Sequence, residues 1–465
     1  MTGWVLASCA GLGAAALSRG AARVPLLGWV ALSPLVVAAI GCPPPAAALA
    51  GALGLGLACA AAVRDRMLRA LAPLAFAGGA AGGALACGSA AWVLARVGPA
   101  WAPVVFPALA VLAPLPLRVL GAPRWVSNPL ACTQERWLPV VHLARFAGDL
   151  SVTAVMAVAS CAVALVLISL PWPSAMAAVV HPLASPGAPM AAAAGGAVVA
   201  AAAVCVGVLA HRAAARRACA GATLRVAAVV ADGPGPTGGE TLDGLWPVRS
   251  AGYRDVEATV ERYRPHVERA ARQGARVVVL PEAAVVVDAA SRACWLRAVD
   301  AWARALRIAV VAPYFDREKP RNELAVLDGN GPPSIYEKQH PGRGLEPQRV
   351  LRTPVAPRFV HAGDAEIALG TAICVDLDYD DLVTSVRSMA DVLAAPSNDW
   401  FGGFDQMHHR TAVWAAVLGG KPLVRAAGHG VSSIYDGAGR VLASASSEHG
   451  PVVLVADVRV GARQT

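Results

Sequence analysis

Charge is scarce in this chain. Only 15% of its 465 residues are Asp, Glu, Lys or Arg, whereas 56% are hydrophobic. That balance excludes an ordinary soluble globule and points toward a membrane protein. Lysine is rarer still: Lys319, Lys338 and Lys421 stand against 37 arginines. The formal net charge of +9 comes from scattered arginines with no basic stripe between aromatics, so no nucleic-acid partner is expected. The ten cysteines include no CxxC pair and no His/Cys cluster at ligand spacing, which speaks against a metal centre. His408 and His409 are adjacent and point to different faces of a helix, so a packing or surface role is expected for them. A Gly- and Pro-rich segment, "DGPGPTGGETLDG", lacks the Lys-Ser/Thr of a phosphate loop, and no cofactor is implied.

Long apolar runs fill the N-terminal half. Stretches able to cross a bilayer fall at 3–19, 24–41, 45–63, 68–95, 100–120, 148–170 and 189–210, seven candidate spans. The first lacks the basic n-region of a signal peptide and is followed directly by further spans. "GGAAGGALACG" at 78–88 supplies the small residues that let membrane helices pack closely. Seven of the ten cysteines lie in this half, where they act as small hydrophobes. A helical membrane domain is expected over 1–217.

From 222 to 460 soluble patterning returns as alternating strands and helices. Strands are expected at "LRVAAVVA", "ARVVVLPEA", "IAVVAP", "EIALGTAIC" and "ADVLAAPSN", with a hairpin in "ELAVLDGNGPPSIYEK". Helices are expected over about 254–273, kinked at Pro265, from Ser291 as its cap to Leu306, and over 405–419. "KPLVRAAGHGVSSIYDGAGRVLASAS" reads as three short strands. The pattern is an α/β sandwich with mixed sheets.

Glu282, Lys338 and Cys374 each follow an apolar strand where it leaves the interior, the rim at which α/β sheets bind ligands. A carboxylate that takes a thiol proton, a thiolate that attacks a carbonyl and an ammonium that holds the oxyanion together make covalent acyl transfer. Taken alone, the trio fits equally a structural thiol, a solvated carboxylate and a cation at a hairpin end.

"LPEAA", "YEKQHPGRGLEP", "AICVDLDY", "APSNDWFG" and "KPLVRAAGHGVSSIYDGAGRVL" occur in the order that resembles the nitrilase superfamily. With the apolar runs in front, the chain is similar in particular to the apolipoprotein N-acyltransferase family. The likeness extends more loosely into "GWVALSPL" and "SNPLACTQERWLPVVHLARFAG". It implies a multi-span helical membrane domain joined to a nitrilase-like α-β-β-α sandwich. It also implies that Glu282 is the general base, Lys338 the oxyanion-stabilising lysine and Cys374 the nucleophile. Glu346 matches a second active-site glutamate, and Trp246, Trp400 and Phe401 match aromatic positions near the acyl chain. The implied partners are a phospholipid acyl donor and a diacylglyceryl-cysteine apolipoprotein acceptor, with no cofactor.

The sequence departs from the family in places. Val375 and Asp376 replace an aromatic residue and glutamate after the cysteine, and "QHPGRGLE" replaces the usual loop after the lysine. Ala415 and Leu418 stand for an arginine and a glutamate, and no final transmembrane helix precedes Thr465. A membrane-anchored nitrilase-type amidase and a non-catalytic relative are the competing readings; a polytopic helical half favours an enzyme that handles acyl chains. Arginines gather after the first, third, fifth and seventh runs, which by the positive-inside rule places the C-terminal half in the cytoplasm. The resemblance implies the opposite, a bacterial inner-membrane protein with its catalytic domain on the extracytoplasmic side, and that placement is the expectation adopted.

Overall fold

The computed structural model describes residues 2–63, 71–170, 188–231, 255–341, 357–362, 365–386, 389–399 and 404–461. The chain divides into two compact units, Met1–His211 and Arg212–Thr465.

The first unit is helical. Five stretches are long and apolar enough to cross a membrane: Pro44–Ala62, Ala72–Val97, Pro99–Val119, Asp149–Ser169 and Pro189–Ala218. The seven expected spans are corrected to five among the described residues. The run at 3–19 does form a helix, Thr2–Ala21, but its glycines, serines and Arg19 dilute its apolar character. The run at 24–41 is split between a 3-10 turn, Pro25–Trp29, and a short helix, Ser33–Gly41, each with proline in its first turn. The small residues expected to allow close packing do so. The helices Pro44–Ala62 and Ala72–Val97 approach so closely at Gly51 and Gly83 that a Cβ on either would overlap the other's carbonyl oxygen.

Among the described residues of this apolar bundle, an ionic contact reaches a fully buried carboxylate. Arg118 pairs with the fully buried Asp149, and Asn128 Nδ2 donates to Asp149 Oδ2 and to Thr153 Oγ1, each at 2.8 Å. A charge in such surroundings persists only when it is paired in this way.

The second unit contains thirteen strands among the described residues. They are β1 (Ala222–Val230), β2 (Val277–Val279), β3 (Val286–Val287), β4 (Ala309–Asp316), β5 (Arg321–Leu327), β6 (Ser334–Glu337) and β7 (Arg358–Ala362). There follow β8 (Ala365–Thr371), β9 (Val392–Asn398), β10 (Leu423–Gly428), β11 (Val431–Tyr435), β12 (Val441–Ser446) and β13 (Val452–Val460). One sheet runs β13-β1-β2-β4-β5-β6, with β3 also on β4; the other runs β12-β11-β10-β9-β8-β7. Both are mixed, with parallel pairs at their centres and antiparallel pairs outside. The strand β13, for which the sequence suggested no assignment, pairs along the whole of β1.

The sheets face each other, β1 against β10 and β2 against β9. The helices Val256–Arg272 and Ala289–Leu306 cover the first sheet through Val260, Tyr263, Val267, Trp295 and Val299. The helix Phe404–Gly419 covers the second. This is the expected α-β-β-α layering. Pro265 sits inside an uninterrupted Val256–Arg272 helix. Asp288, not Ser291, is the N-cap of Ala289–Leu306; Ser291 is its partner three residues on, in a reciprocal capping box.

Candidate active site

The short strand β2 carries the chain into Leu280, Pro281 and Glu282, where the backbone crosses toward the other sheet. Leu280 N–H donates to Val311 of β4, and Glu282 N–H donates to Ser397 of β9 at 3.2 Å. Ala283 then takes a positive φ of 48°. Lys338 follows β6, its N–H donating to the Asn322 carbonyl at 2.9 Å. The hairpin β5–β6 thereby aims Lys338 Nζ at Glu282 Oε1, 2.7 Å away, and Asn322 Nδ2 donates to the same oxygen at 2.7 Å. The side chains of Lys338 and Glu282 are 3% and 2% exposed.

Cys374 comes three residues after the end of β8, at the start of a 3-10 helix, Cys374–Asp378. Its φ of 54° lies in the left-handed region that a β-carbon makes costly. Such a bend lifts a side chain off the end of a strand, as nucleophile turns do in other α/β folds. The thiol is buried, and burial together with the nearby Glu282 charge pushes its pKa up, while His408 and Lys338 pull it down. Glu282 and Lys338 are thus in contact, and Cys374 is within electrostatic reach of both. Trp246, Glu346, Trp400 and Phe401 lie outside the described residues.

Asp376, which departs from the family pattern, is fully buried and heavily used. Its carboxylate accepts from Tyr336 Oη at 2.8 Å, from Ile373 N–H at 3.0 Å and from His340 N–H at 2.7 Å. It therefore ties the turn that carries Cys374 to the segment just after Lys338. His340 stacks on Tyr379, ring centroids 3.7 Å apart, and closes the same junction.

The helix Phe404–Gly419 brings a further group that sequence reasoning left as packing or surface. His408 is fully buried, with Nδ1 at 4.0 Å from Cys374 Sγ and 2.9 Å from Asp399 Oδ1. Its Nε2 stands 3.5 Å from Asp378 Oδ2. Arg425 of β10, also fully buried, donates through one nitrogen to both Asp399 oxygens at 2.7 Å and through the other to the Val431 carbonyl at 2.6 Å. Only Gly fits at Gly430, because a Cβ there would overlap the Asp399 carboxylate. Asn398 ties this side to the first sheet, donating to the Glu282 carbonyl at 3.3 Å and meeting His429 Nδ1 at 2.9 Å. The adjacency of two histidines was the visible signal; which of them faces inward was not.

A thiol at a strained turn, a buried carboxylate–ammonium pair and an α-β-β-α frame define a nitrilase-like domain. Residues 245–465 match the carbon-nitrogen hydrolase family. The chain is also 28% identical over 199 residues to apolipoprotein N-acyltransferase of Vibrio cholerae serotype O1, a match over 36% of this chain and 39% of that protein. It thus spans about two fifths of the curated relative's length. Both findings support the resemblance drawn from the motifs. Among solved structures, Nit3 of Saccharomyces cerevisiae is similar with a TM-score of 0.38 and 19% identity, over 51% of this chain and 90% of that one. An amidase from Nesterenkonia sp. gives a TM-score of 0.41 and 19% identity, over 53% and 95%.

Proposed function

We propose that the protein is an N-acyltransferase that moves a fatty acyl group from a membrane phospholipid to the N-terminal amine of diacylglyceryl-cysteine lipoproteins. The observation that carries this reading is the sealed Lys338–Glu282 pair beside Cys374, on a chain that also holds five apolar helices of spanning length. Glu282 takes the thiol proton, and the thiolate attacks the phospholipid ester carbonyl while Lys338 holds the oxyanion. The lysophospholipid oxygen leaves with the proton from Glu282, and a thioester remains on Cys374. The acceptor amine then attacks the thioester, Glu282 accepts its proton, the thiol is released and an amide forms.

Glu346 is assigned to the loop that helps hold the intermediate, and Trp246, Trp400 and Phe401 to the acyl chain or its entrance, on the motif match alone. The domain boundaries of the reading are 1–217 and 222–460. The catalytic domain is placed on the extracytoplasmic side of the bacterial inner membrane, where exported lipoproteins are met. A cysteine introduced near Gly450 should be labelled by an impermeant thiol reagent in spheroplasts; absence of labelling removes that placement.

The test of the activity is intact-mass analysis of purified protein mixed with phospholipid. One fatty acyl adduct on Cys374, stable until an amine acceptor is added, is the expected result. An adduct lost to water without an acceptor would assign an amidase-type hydrolase instead. No adduct, with unchanged behaviour of Cys374→Ala, would leave a non-catalytic relative.

A further inference from the structure

The thiol of Cys374 has a charge problem that the Glu282–Lys338 pair does not solve. Burial and the Glu282 carboxylate both oppose a thiolate, and Lys338 spends its charge on Glu282 at 2.7 Å. A sulfur in this position calls for another cation.

We propose that His408, held between Asp378 and Asp399, is a fixed imidazolium that positions and stabilises the Cys374 thiolate, a fourth member of the site beside Glu282, Lys338 and Cys374. The geometry argues for the charge. Each ring nitrogen faces a carboxylate, Nδ1 toward Asp399 at 2.9 Å and Nε2 toward Asp378 at 3.5 Å. Only the doubly protonated ring carries a proton on both sides. Among the described residues, neither Asp378 oxygen has a hydrogen-bond partner although the side chain is fully buried. A carboxylate so placed needs a cation, and His408 is the one the geometry puts beside it.

Among the described residues, four other charged or titratable groups face His408. Cys374 and Asp378 come from the turn after β8, Asp399 from the end of β9 and Arg425 from β10. Arg425 stands 3.0 Å from Nδ1 and works against the charge, but it is bound to both oxygens of Asp399. On the same helix, burial pushes His409 down to about 4, which makes it neutral. Burial also opposes the His408 charge, yet the nearby Cys374 sulfur and the facing carboxylates of Asp378 and Asp399 outweigh it and raise its pKa well above the ordinary value.

This inference deepens the proposed function, since it concerns the same sulfur, but its test needs neither acyl donor nor acceptor. The full-length protein in detergent is alkylated with iodoacetamide between pH 6 and about 11, a range that reaches above the ordinary thiol value, and modification of Cys374 is followed by peptide mass spectrometry. His408→Gln keeps a polar side chain without a charge. Its alkylation midpoint should move upward by about one unit or more, with modification at pH 7 slowed about tenfold. Asp378→Asn, which leaves the Asp399–Arg425 pair intact, should shift the midpoint in the same direction by less, and it carries the test if His408→Gln does not fold. A midpoint equal to that of the parent in either folded variant overturns the inference. A shifted midpoint without any acyl adduct on the parent protein would retain His408 and remove the acyltransferase reading. An adduct with an unshifted midpoint would do the reverse.

Discussion

Lys338 Nζ lies 2.7 Å from Glu282 Oε1 although the two residues are 56 positions apart, and both side chains are closed to solvent. Removing one partner of such a pair leaves the other charged and unsolvated, which costs about 3–5 kcal/mol. Lys338→Met should therefore lower the thermal midpoint sharply. Glu282→Gln, whose amide oxygen still accepts from lysine, should cost less stability but slow adduct formation on Cys374 about a hundredfold or more. Differential scanning fluorimetry and intact mass measure the two effects. Equal stability of Lys338→Met and parent would contradict the buried pairing.

Asn322 supports the same carboxylate from β5 at 2.7 Å. A hydrogen bond to a charged group contributes about 1.5–3 kcal/mol. Asn322→Ala should lose a comparable amount of stability and slow adduct formation on Cys374 while leaving the amount of membrane-inserted protein unchanged. Normal adduct formation by this variant would show that Lys338 alone orients Glu282.

The folded pKa of His408 is raised, so its contribution to stability is complete below the unfolded value of about 6.5 and disappears as pH climbs through the higher folded value. Asp399 works in the opposite direction. Burial opposes its charge, but Arg425 and His408 hold its pKa below the ordinary value, so its contribution is present above about 3.9 and fades as pH falls through the folded value. Thermal midpoints of the parent should decline on the alkaline side, and His408→Gln should flatten that limb. A parallel alkaline decline in both proteins would argue against a charged His408.

Gly430 leaves no room for a side chain next to Asp399. Gly430→Ala forces a shift of the carboxylate or of β11, at a cost of about 1–3 kcal/mol. The midpoint should drop, and the alkylation profile of Cys374 should change with it, because Asp399 bonds His408 at 2.9 Å. An alanine tolerated with no effect on either would mean that Asp399 adjusts freely.

In the helical unit, Gly83→Val places a branched side chain against the Gly51 carbonyl. Overpacking of this kind costs about 1–3 kcal/mol. Thermal unfolding of the detergent-solubilised protein should show the loss, whereas the same change at Gly195, where a Cβ would meet nothing, should be neutral. Equal effects at the two positions would refute close packing at Gly51 and Gly83.

Much of the fold was legible because its signals are local. Apolar length marked the five spans, and the alternation of strand and helix in 222–460 marked the sandwich. Glu282, Lys338 and Cys374 were found because each stands where an apolar strand ends. The run at 24–41 differs from its expected single span because prolines divide it, a break that apolar composition does not register. Asn322 sits inside a strand with nothing in its neighbourhood to mark it, and the helical period of 404–419 could not tell which of two adjacent histidines turns inward.

The amino-acid order by itself determined which segments are helix or strand and which three residues leave the interior at strand ends, because periodicity and burial act over a few neighbouring positions. Only the tertiary structure decided that Asn322, His408, Asp378, Asp399 and Arg425 stand around them. Those contacts join β5, the turn after β8, β9, β10 and the 404–419 helix, and the electrostatics of a buried sulfur depend on distances in space that no local pattern encodes.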